Sequence, residues 1–330
     1  MARTVNYMGK QSSGIPEKFL ERLTDIVGPS LYREIENTFV ERPTTFRVNT
    51  IKAKREDIVE YLNSQGFKIR QITWYKDAFV LLNKTKRELC DLDIYEEGKI
   101  YVQGLASMIP PLVLDPQPGE KVLDLTAAPG SKTSQIAALM RQEGELIAND
   151  NNKIRFFKLK HNMEALGVNA TLRMEHGGSL CREYPEYFDK ILLDAPCSAE
   201  ARFIDGDPKT YGYWKEQKIK EMAYKQWGLL LAAWSALKPG GILVYSTCTF
   251  APEENELQVT KFLERVKDGG VLDISAKGGP SYGWKKLPIV REFKNKKVNQ
   301  EVVKKAMRIM PTKEIEGFFV CKIKKTPPLL

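Results

Sequence analysis

After about residue 106 the hydrophobic period of the chain changes. Short apolar runs of strand length begin to alternate with stretches of helical spacing, and this alternation constrains the fold more than any other feature. Candidate strands are Lys121–Thr126, Glu145–Asn149, Ala170–Met174, Lys190–Asp194, Ile242–Ser246, Val271–Ile274 and Phe318–Lys322. Strands interleaved with helices pair in parallel, with helices covering both faces. The expectation for residues 106–330 is therefore α/β, a doubly wound, Rossmann-like sheet of about seven strands. In such sheets ligands bind beyond the carboxyl ends of the strands, so the chemistry is sought in the residues that follow each strand.

Residues 1–105 follow a different pattern. Phe19, Leu20, Leu23, Ile26 and Val27 fall at helical spacing and predict a helical preamble over residues 15–40. Thr45 to Thr50 alternates like a strand, Glu56 to Gln65 reads as a helix ended by Gly66, and Ile69 to Trp74 as a second strand. A small α+β, RRM-like module is expected here, offering its sheet to RNA.

Composition narrows the class. The chain has 330 residues, 42% hydrophobic and 28% charged, which suits about two globular domains and argues against wholesale disorder. No apolar stretch reaches the ~18 residues of a membrane span. The start, Met1 to Asn6, lacks the apolar core of a secretory leader, so a cytoplasmic protein without membrane partners is expected. The five cysteines have no C-x-x-C spacing and only two histidines to help them, so neither a disulfide framework nor a metal site is indicated. The net charge of +9 is concentrated: residues 284–330 carry 13 basic and 4 acidic side chains. Lys285, Lys286, Arg291, Lys294, Lys296, Lys297, Lys304, Lys305 and Arg308, with Trp284 and Phe293 interleaved, form a candidate polyanion footprint. A solvated lysine-rich surface is the plainer alternative.

After the first strand comes a loop of small residues, Asp124-Leu125-Thr126-Ala127-Ala128-Pro129-Gly130-Ser131-Lys132-Thr133, leading into a helix from Ser134 to Met140. It is neither a Walker A loop nor a G-x-G-x-x-G fingerprint, but it lets the backbone approach a ligand. The second strand ends in Asp150, where an acid commonly holds a ribose diol. Together these features suggest an adenosine-containing ligand.

Two cysteines follow later strands. Asp194-Ala195-Pro196-Cys197-Ser198 sets an acid and a thiol at one carboxyl edge, and Tyr245-Ser246-Thr247-Cys248-Thr249 sets a second thiol at the next. A lone cysteine is usually a small buried hydrophobe. Two at strand ends suit pyrimidine C5 methylation, in which a thiolate adds at C6, the ring becomes enamine-like, and a base later removes the C5 proton.

These motifs, followed by Pro252-Glu253-Glu254-Asn255-Glu256, Arg308-Ile309-Met310-Pro311 and Gly317-Phe318-Phe319-Val320, resemble the Sun/Fmu-type RNA cytosine-5 methyltransferases. The resemblance spans roughly residues 15–330, because Phe46-Arg47-Val48-Asn49-Thr50 resembles a strand of that family's N-terminal module. It implies a methyltransferase fold with S-adenosylmethionine bound by Thr126, Ala127, Ala128, Pro129, Gly130, Ser131 and Lys132, with Asp150 on the ribose. It also implies Cys248 as the attacking thiol, Cys197 assisting release of the adduct, and Asp194 and Lys132 near the cytosine. DNA enzymes attack with the thiol after proline, so Cys248 argues for RNA. Ribosomal RNA is preferred over transfer RNA, and a monomer is expected.

The chain departs from the family in three places, of which Ser131 for the glycine of many members carries no weight, since serine also occurs there. Ala199-Glu200-Ala201-Arg202 replaces a glycine-rich loop, and the acid that often meets the adenine edge is missing from His176-Gly177-Gly178-Ser179, which leaves Gly177 or Ser179 for that contact. Glu253, Glu254 and Glu256 read as first-turn acids of the next helix, Lys225 and Gln226 as a solvated face, and Tyr211, Tyr213 and Trp214 as either base-stacking or core residues. Two alternatives follow. One is an RNA-binding assembly factor that has lost catalysis through the altered loop. The other is a methyltransferase acting on protein or a small molecule, which leaves the paired thiols without a purpose.

Overall fold

A computed structural model describes residues 14–274 and 283–327 of the chain. The segment Met1 to Asn6, on which the leader expectation rests, lies outside the described residues.

Two helices come first among the described residues, α1 (Glu17–Val27) and α2 (Pro29–Glu36), the second with proline at its first position. Their apolar stripes bury Phe19, Leu23 and Ile35 against Phe203, Trp214 and Phe250. The preamble is thus packed on the far half of the sequence, with Phe19 edge-on to Phe203 at 4.8 Å between ring centroids.

Next come β1 (Thr45–Val48), α3 (Arg55–Ser64), β2 (Ile69–Ile72), β3 (Tyr75–Leu81), the short helices α4 (Lys86–Cys90) and α5 (Asp93–Glu96), and β4 (Ile100–Val102). The strands form an antiparallel sheet in the order β2–β3–β1–β4. One face buries Phe46, Val48 and Phe79 against Ile58, Leu62 and Leu89. The other packs Ala78 and Val80 on Leu105 and Met108 of the next helix, α6 (Leu105–Leu114). Every residue of β1 is buried. The sheet is therefore not offered to RNA as the sequence suggested. Helix α6 is apolar on nearly all sides and needs a second surface to bury it, which this sheet supplies.

The larger unit continues with β5 (Lys121–Asp124), α7 (Ser131–Leu139), β6 (Glu145–Asn149), α8 (Lys153–Leu166), β7 (Thr171–Arg173), α9 (Gly177–Glu183) and β8 (Phe188–Asp194). It is completed by α10 (Glu216–Ala236), β9 (Leu237–Thr247), α11 (Glu256–Val266), β10 (Gly269–Leu272), β11 (Lys286–Leu287), the hairpin β12 (Glu292–Phe293) and β13 (Lys296–Lys297), α12 (Gln300–Lys305), β14 (Met307–Ile309) and β15 (Phe318–Lys325). The sheet order is β11–β14–β15–β9–β8–β5–β6–β7, with β10 also on β15. Strands β7, β6, β5, β8 and β9 are parallel, and the others add antiparallel. All seven expected strands are present, but among the described residues the sheet has nine. The extra two, β11 and β14, are only two and three residues long, too short to show a period.

Alternate residues of the sheet feed two cores. Leu123, Ile191, Leu193, Tyr245 and Phe319 meet α10 and α11 on one side. Val122, Leu192, Val244 and Val320 meet α6 and α7 on the other. The end of α8 is tied to the N-terminal sheet: Asn49 Nδ2 donates to Leu166 O at 2.9 Å and Lys52 Nζ to Ala165 O at 2.7 Å, which satisfies two of the last-turn carbonyls. Gly98 packs so closely here that a Cβ would lie 2.2 Å from Ala165 O.

Candidate active site

Strands β8 and β9 run parallel with Asp194 opposite Ser246, so the loops after them leave the same edge side by side. This brings Cys197 Sγ to 3.3 Å from Cys248 Sγ. Asp194 is fixed from three directions. Its Oδ2 lies 2.8 Å from Lys132 Nζ, its Oδ1 accepts from Ser246 Oγ at 2.8 Å, and its main-chain carbonyl accepts from Thr126 Oγ1 at 2.8 Å. Lys132 Nζ also donates to Ser107 Oγ at 2.8 Å.

The two sulfurs are not equivalent. The hydrogen bond from Cys197, helped by the Arg202 guanidinium and the Lys132 ammonium, pulls Cys248 down to about 7 against the opposing effects of burial and Asp194. The same bond, together with burial, pushes Cys197 well above the ordinary thiol range. The pair is therefore biased toward a proton on Cys197 and a thiolate, the nucleophilic form, on Cys248. The Arg202 charge is reinforced in turn by the facing Cys248 and by Glu316.

Beside the thiols lies a cleft of about 1030 Å³. Thr126, Ala127, Ala128, Pro129, Ser131, Lys132, Asp150, Gly177, Asp194, Cys197 and Cys248 all line it. Gly130 sits behind the loop with φ 104°, where a Cβ would lie 2.5 Å from Met163 Cε. Its role is to let the loop turn tightly against α8. Helix α7 consequently starts at Ser131, three residues earlier than the sequence suggested. Asp150, only 3% exposed, accepts from Ala128 N at 3.3 Å and Asn152 N at 3.0 Å and pairs with Arg155 at 3.1 Å. Asp124, at the end of β5, accepts from Thr133 Oγ1 at 2.7 Å through one oxygen. Its other oxygen is buried without a hydrogen-bond partner among the described residues, and burial pushes the group up to about 7. After β7, Gly177 and His176 face the cleft, whereas Ser179 accepts from Arg182 at 3.1 Å away from it.

Several residues at the site were missed or misread from sequence. Tyr101, Gln103 and Ser107 build one wall of the cleft, and Arg202, His176 and Tyr224 others. Arg202 carries a sequence signal, standing in the altered stretch Ala199–Arg202 that follows Cys197; the rest have no pattern. Gln226, expected in solvent, is fully buried and donates to Pro196 O at 2.9 Å and Glu254 at 2.8 Å, while Lys225 is exposed as expected. Of the three acids after Pro252, only Glu256 is in the first turn of α11. Glu253 pairs with Arg22 at 3.0 Å, Glu254 accepts from Ser198, and Glu256 pairs with Arg308 at 2.5 Å. Arg308 is therefore buried and leaves the basic footprint. Tyr211 and Trp214 are core, and Tyr213 is half exposed. Trp284 packs edge-on against Trp74. Ala199, in place of glycine, has φ 56°, a conformation that costs a non-glycine residue about 1–2 kcal/mol.

Residues 111–324 match the family model described as 16S rRNA methyltransferase RsmB/F. The chain is 36% identical over 260 residues to the ribosomal RNA small subunit methyltransferase F of Pectobacterium atrosepticum, covering 76% of this chain and 53% of that protein. It thus spans about half the length of that relative. It is 37% identical over 290 residues to the tRNA (cytosine(49)-C(5))-methyltransferase of Pyrococcus abyssi, covering 86% and 88% of the two chains. Among solved structures, a methyltransferase homolog from Pyrococcus horikoshii superposes with a TM-score of 0.81 at 35% identity, covering 94% of this chain and 96% of that one. NSun6 from the same organism, solved with SFG, superposes with a TM-score of 0.79 at 25% identity, covering 95% and 99%. On the match over residues 111–324 and these identities, the chain belongs to the RsmB/F family of 16S rRNA methyltransferases.

Proposed function

We propose that this chain transfers a methyl group from S-adenosylmethionine to C5 of cytosine in RNA, through a covalent bond between Cys248 and C6. The observation that carries this reading is the 3.3 Å thiol pair beside the Lys132–Asp194 pair at 2.8 Å. The residues of the cleft suit the cofactor. Asp150 offers a carboxylate for the ribose hydroxyls, the Ala127–Ala128 turn allows close backbone approach, and the unpartnered oxygen of Asp124 suits an ammonium group. S-adenosylmethionine supplies an electrophilic methyl group there. Cys248, its thiol pulled down by Cys197 and Arg202, adds to C6 as the thiolate, and the Lys132–Asp194 pair meets the charge that develops on the ring. Once C5 carries the methyl, a base takes the C5 proton, the electrons of that C–H bond re-form the C5–C6 double bond, and the C6–S bond breaks to return Cys248 as a thiolate, which Cys197 receives with its hydrogen bond.

In this reading residues 1–105 form a module that completes the cleft wall, and residues 106–330 form the catalytic domain. The exposed Lys294, Lys296 and Lys297 hold phosphates without reading sequence. The family description favours ribosomal RNA. The near full-length match to the Pyrococcus tRNA enzyme gives transfer RNA as the second reading.

The test is to incubate wild type, Cys248→Ala and Cys197→Ala with labelled S-adenosylmethionine and, separately, unmodified ribosomal and transfer RNA. Wild type is expected to make 5-methylcytosine, Cys248→Ala none, and Cys197→Ala a trapped RNA adduct; the better RNA identifies the substrate class. Because Cys248 titrates at about 7, single-turnover rates are expected to drop about tenfold per pH unit below that value as the thiolate is protonated. Methylation by Cys248→Ala would overturn the assignment of the nucleophile.

A further inference from the structure

Beneath the thiol pair, four oxygen-bearing side chains form an unbroken line between the two cysteine loops. Glu254 Oε1 lies 2.5 Å from Ser198 Oγ, Ser198 Oγ lies 2.7 Å from Thr249 Oγ1, and Thr249 Oγ1 lies 2.8 Å from Glu200 Oε2. All four are buried, none more than 2% exposed. Each hydroxyl carries one proton and an ionised carboxylate carries none. Were both glutamates ionised, three short oxygen–oxygen contacts would share two protons, and one contact would set bare lone pairs against each other. The third proton has to come from a carboxyl group.

The other partners decide which one. Glu200 accepts from Trp214 Nε1 at 2.9 Å and from Phe250 N at 3.1 Å in addition to Thr249, three donors that suit an anion. Glu254 Oε2 takes Ser198 N at 3.0 Å and Gln226 Nε2 at 2.8 Å, which leaves Oε1 free to donate. Thr249 Oγ1 also accepts Ala251 N at 3.2 Å, so its lone pairs are used. We propose that Glu254 is a neutral carboxylic acid whose proton closes the line Glu254→Ser198→Thr249→Glu200, and that this line is the tie that holds Cys197 and Cys248 together.

Ser198 follows Cys197 and Thr249 follows Cys248 in sequence, so the Ser198–Thr249 contact sets the separation of the two loops. Around Glu254 stand Glu200, Cys197 and Tyr245; the Glu200 charge opposes a second negative charge, and Arg22 faces Glu200. Burial, reinforced by Glu200, pushes Glu254 up to about 8. Above that value the proton leaves, the two hydroxyl oxygens lose the hydrogen between them, and the loops part. Glu254 is a positioning residue, not a catalytic one. Its proposed purpose rests on the thiol chemistry above, whereas the proton itself does not.

The experiment uses the full chain without RNA. Difference infrared spectra of wild type and Glu254→Gln at neutral pH are expected to contain the carbonyl stretch of a protonated carboxyl in wild type only; absence of that band overturns the proposal. Glutamine can donate to Ser198 while still accepting from Ser198 N, so it mimics the neutral acid. Capture of phenylarsine oxide, which bridges neighbouring thiols, reads the Cys197–Cys248 separation, with Cys197→Ala as control. Wild type is expected to lose affinity about tenfold per pH unit above about 8, relative to a Glu254→Gln profile without that limb. Identical profiles would overturn the tie. Should the glutamine variant fail to fold, Ser198→Ala removes the acceptor of the Glu254 proton, and the wild-type band is expected to move; an unmoved band overturns the proposal. If band and capture behave as expected while wild type methylates no RNA, the proton line stands and the proposed function fails.

Discussion

The strand β1 and the hairpin β12–β13 both carry cations that suggest nucleic-acid contact, but the structure uses them in opposite ways. Arg47 in β1 is fully buried. Its Nε donates to Gln103 Oε1 at 2.8 Å, its Nη2 to Ser131 O at 3.4 Å and also to Ser134 Oγ, and its guanidinium lies 5.4 Å from the Tyr101 ring centroid. It grips the first turn of α7, directly after the loop that lines the cleft. The hairpin turns through Lys294 and Asn295, at φ 50° and 61°, and leaves Lys294, Lys296 and Lys297 in solvent. A buried cation organises the site, and exposed ones recruit a polyanion. Composition cannot separate these two uses, because burial is decided by partners distant in sequence.

Three substitutions can break or sharpen this contrast. Arg47→Ala leaves Gln103 and Ser134 without their buried partner and is expected to cost about 3 kcal/mol of stability in urea unfolding. The salt dependence of RNA binding by the folded fraction should stay as in wild type; a flattened slope would make Arg47 a phosphate contact after all. Neutralising Lys294, Lys296 and Lys297 together is expected to do the reverse. The slope of log affinity against log salt falls by about 2–3 and the melting temperature is unchanged, whereas an unchanged slope removes the hairpin from the interface. The smallest effect is expected from Arg70→Ala on the exposed edge strand β2, where Arg70 pairs with Glu314 at 2.6 Å in solvent. Stability should change by less than about 1 kcal/mol and RNA affinity not at all. Weaker RNA binding by this variant would return the sheet edge to the interface.

Strands β5, β8 and β9 were legible because each holds a continuous apolar run ending in a small or acidic residue, and the cysteines because they follow two of these ends. Helix α6 was not legible, since Pro110 and Pro111 lie inside it and its apolar face runs all the way round, which hides any period. Gln226 and Arg308 were read as solvated because their partners, Glu254 and Glu256, are brought to them only by the packing of α10, α11 and β14. His176 and Tyr224 reach the cleft from separate elements and share no spacing. Ala199 was legible in the opposite sense: its departure from glycine marks a residue that the structure holds in the left-handed region.

The seam between the small sheet and the end of α8 limits how the chain can be divided. Asn49 and Lys52 complete the last turn of a helix more than a hundred positions away, and Gly98 leaves that helix just enough room. A chimera joined near residue 105 would inherit a helix cap from one parent and the helix it caps from the other. Any exchange of front halves between relatives must therefore carry both sides of the seam together.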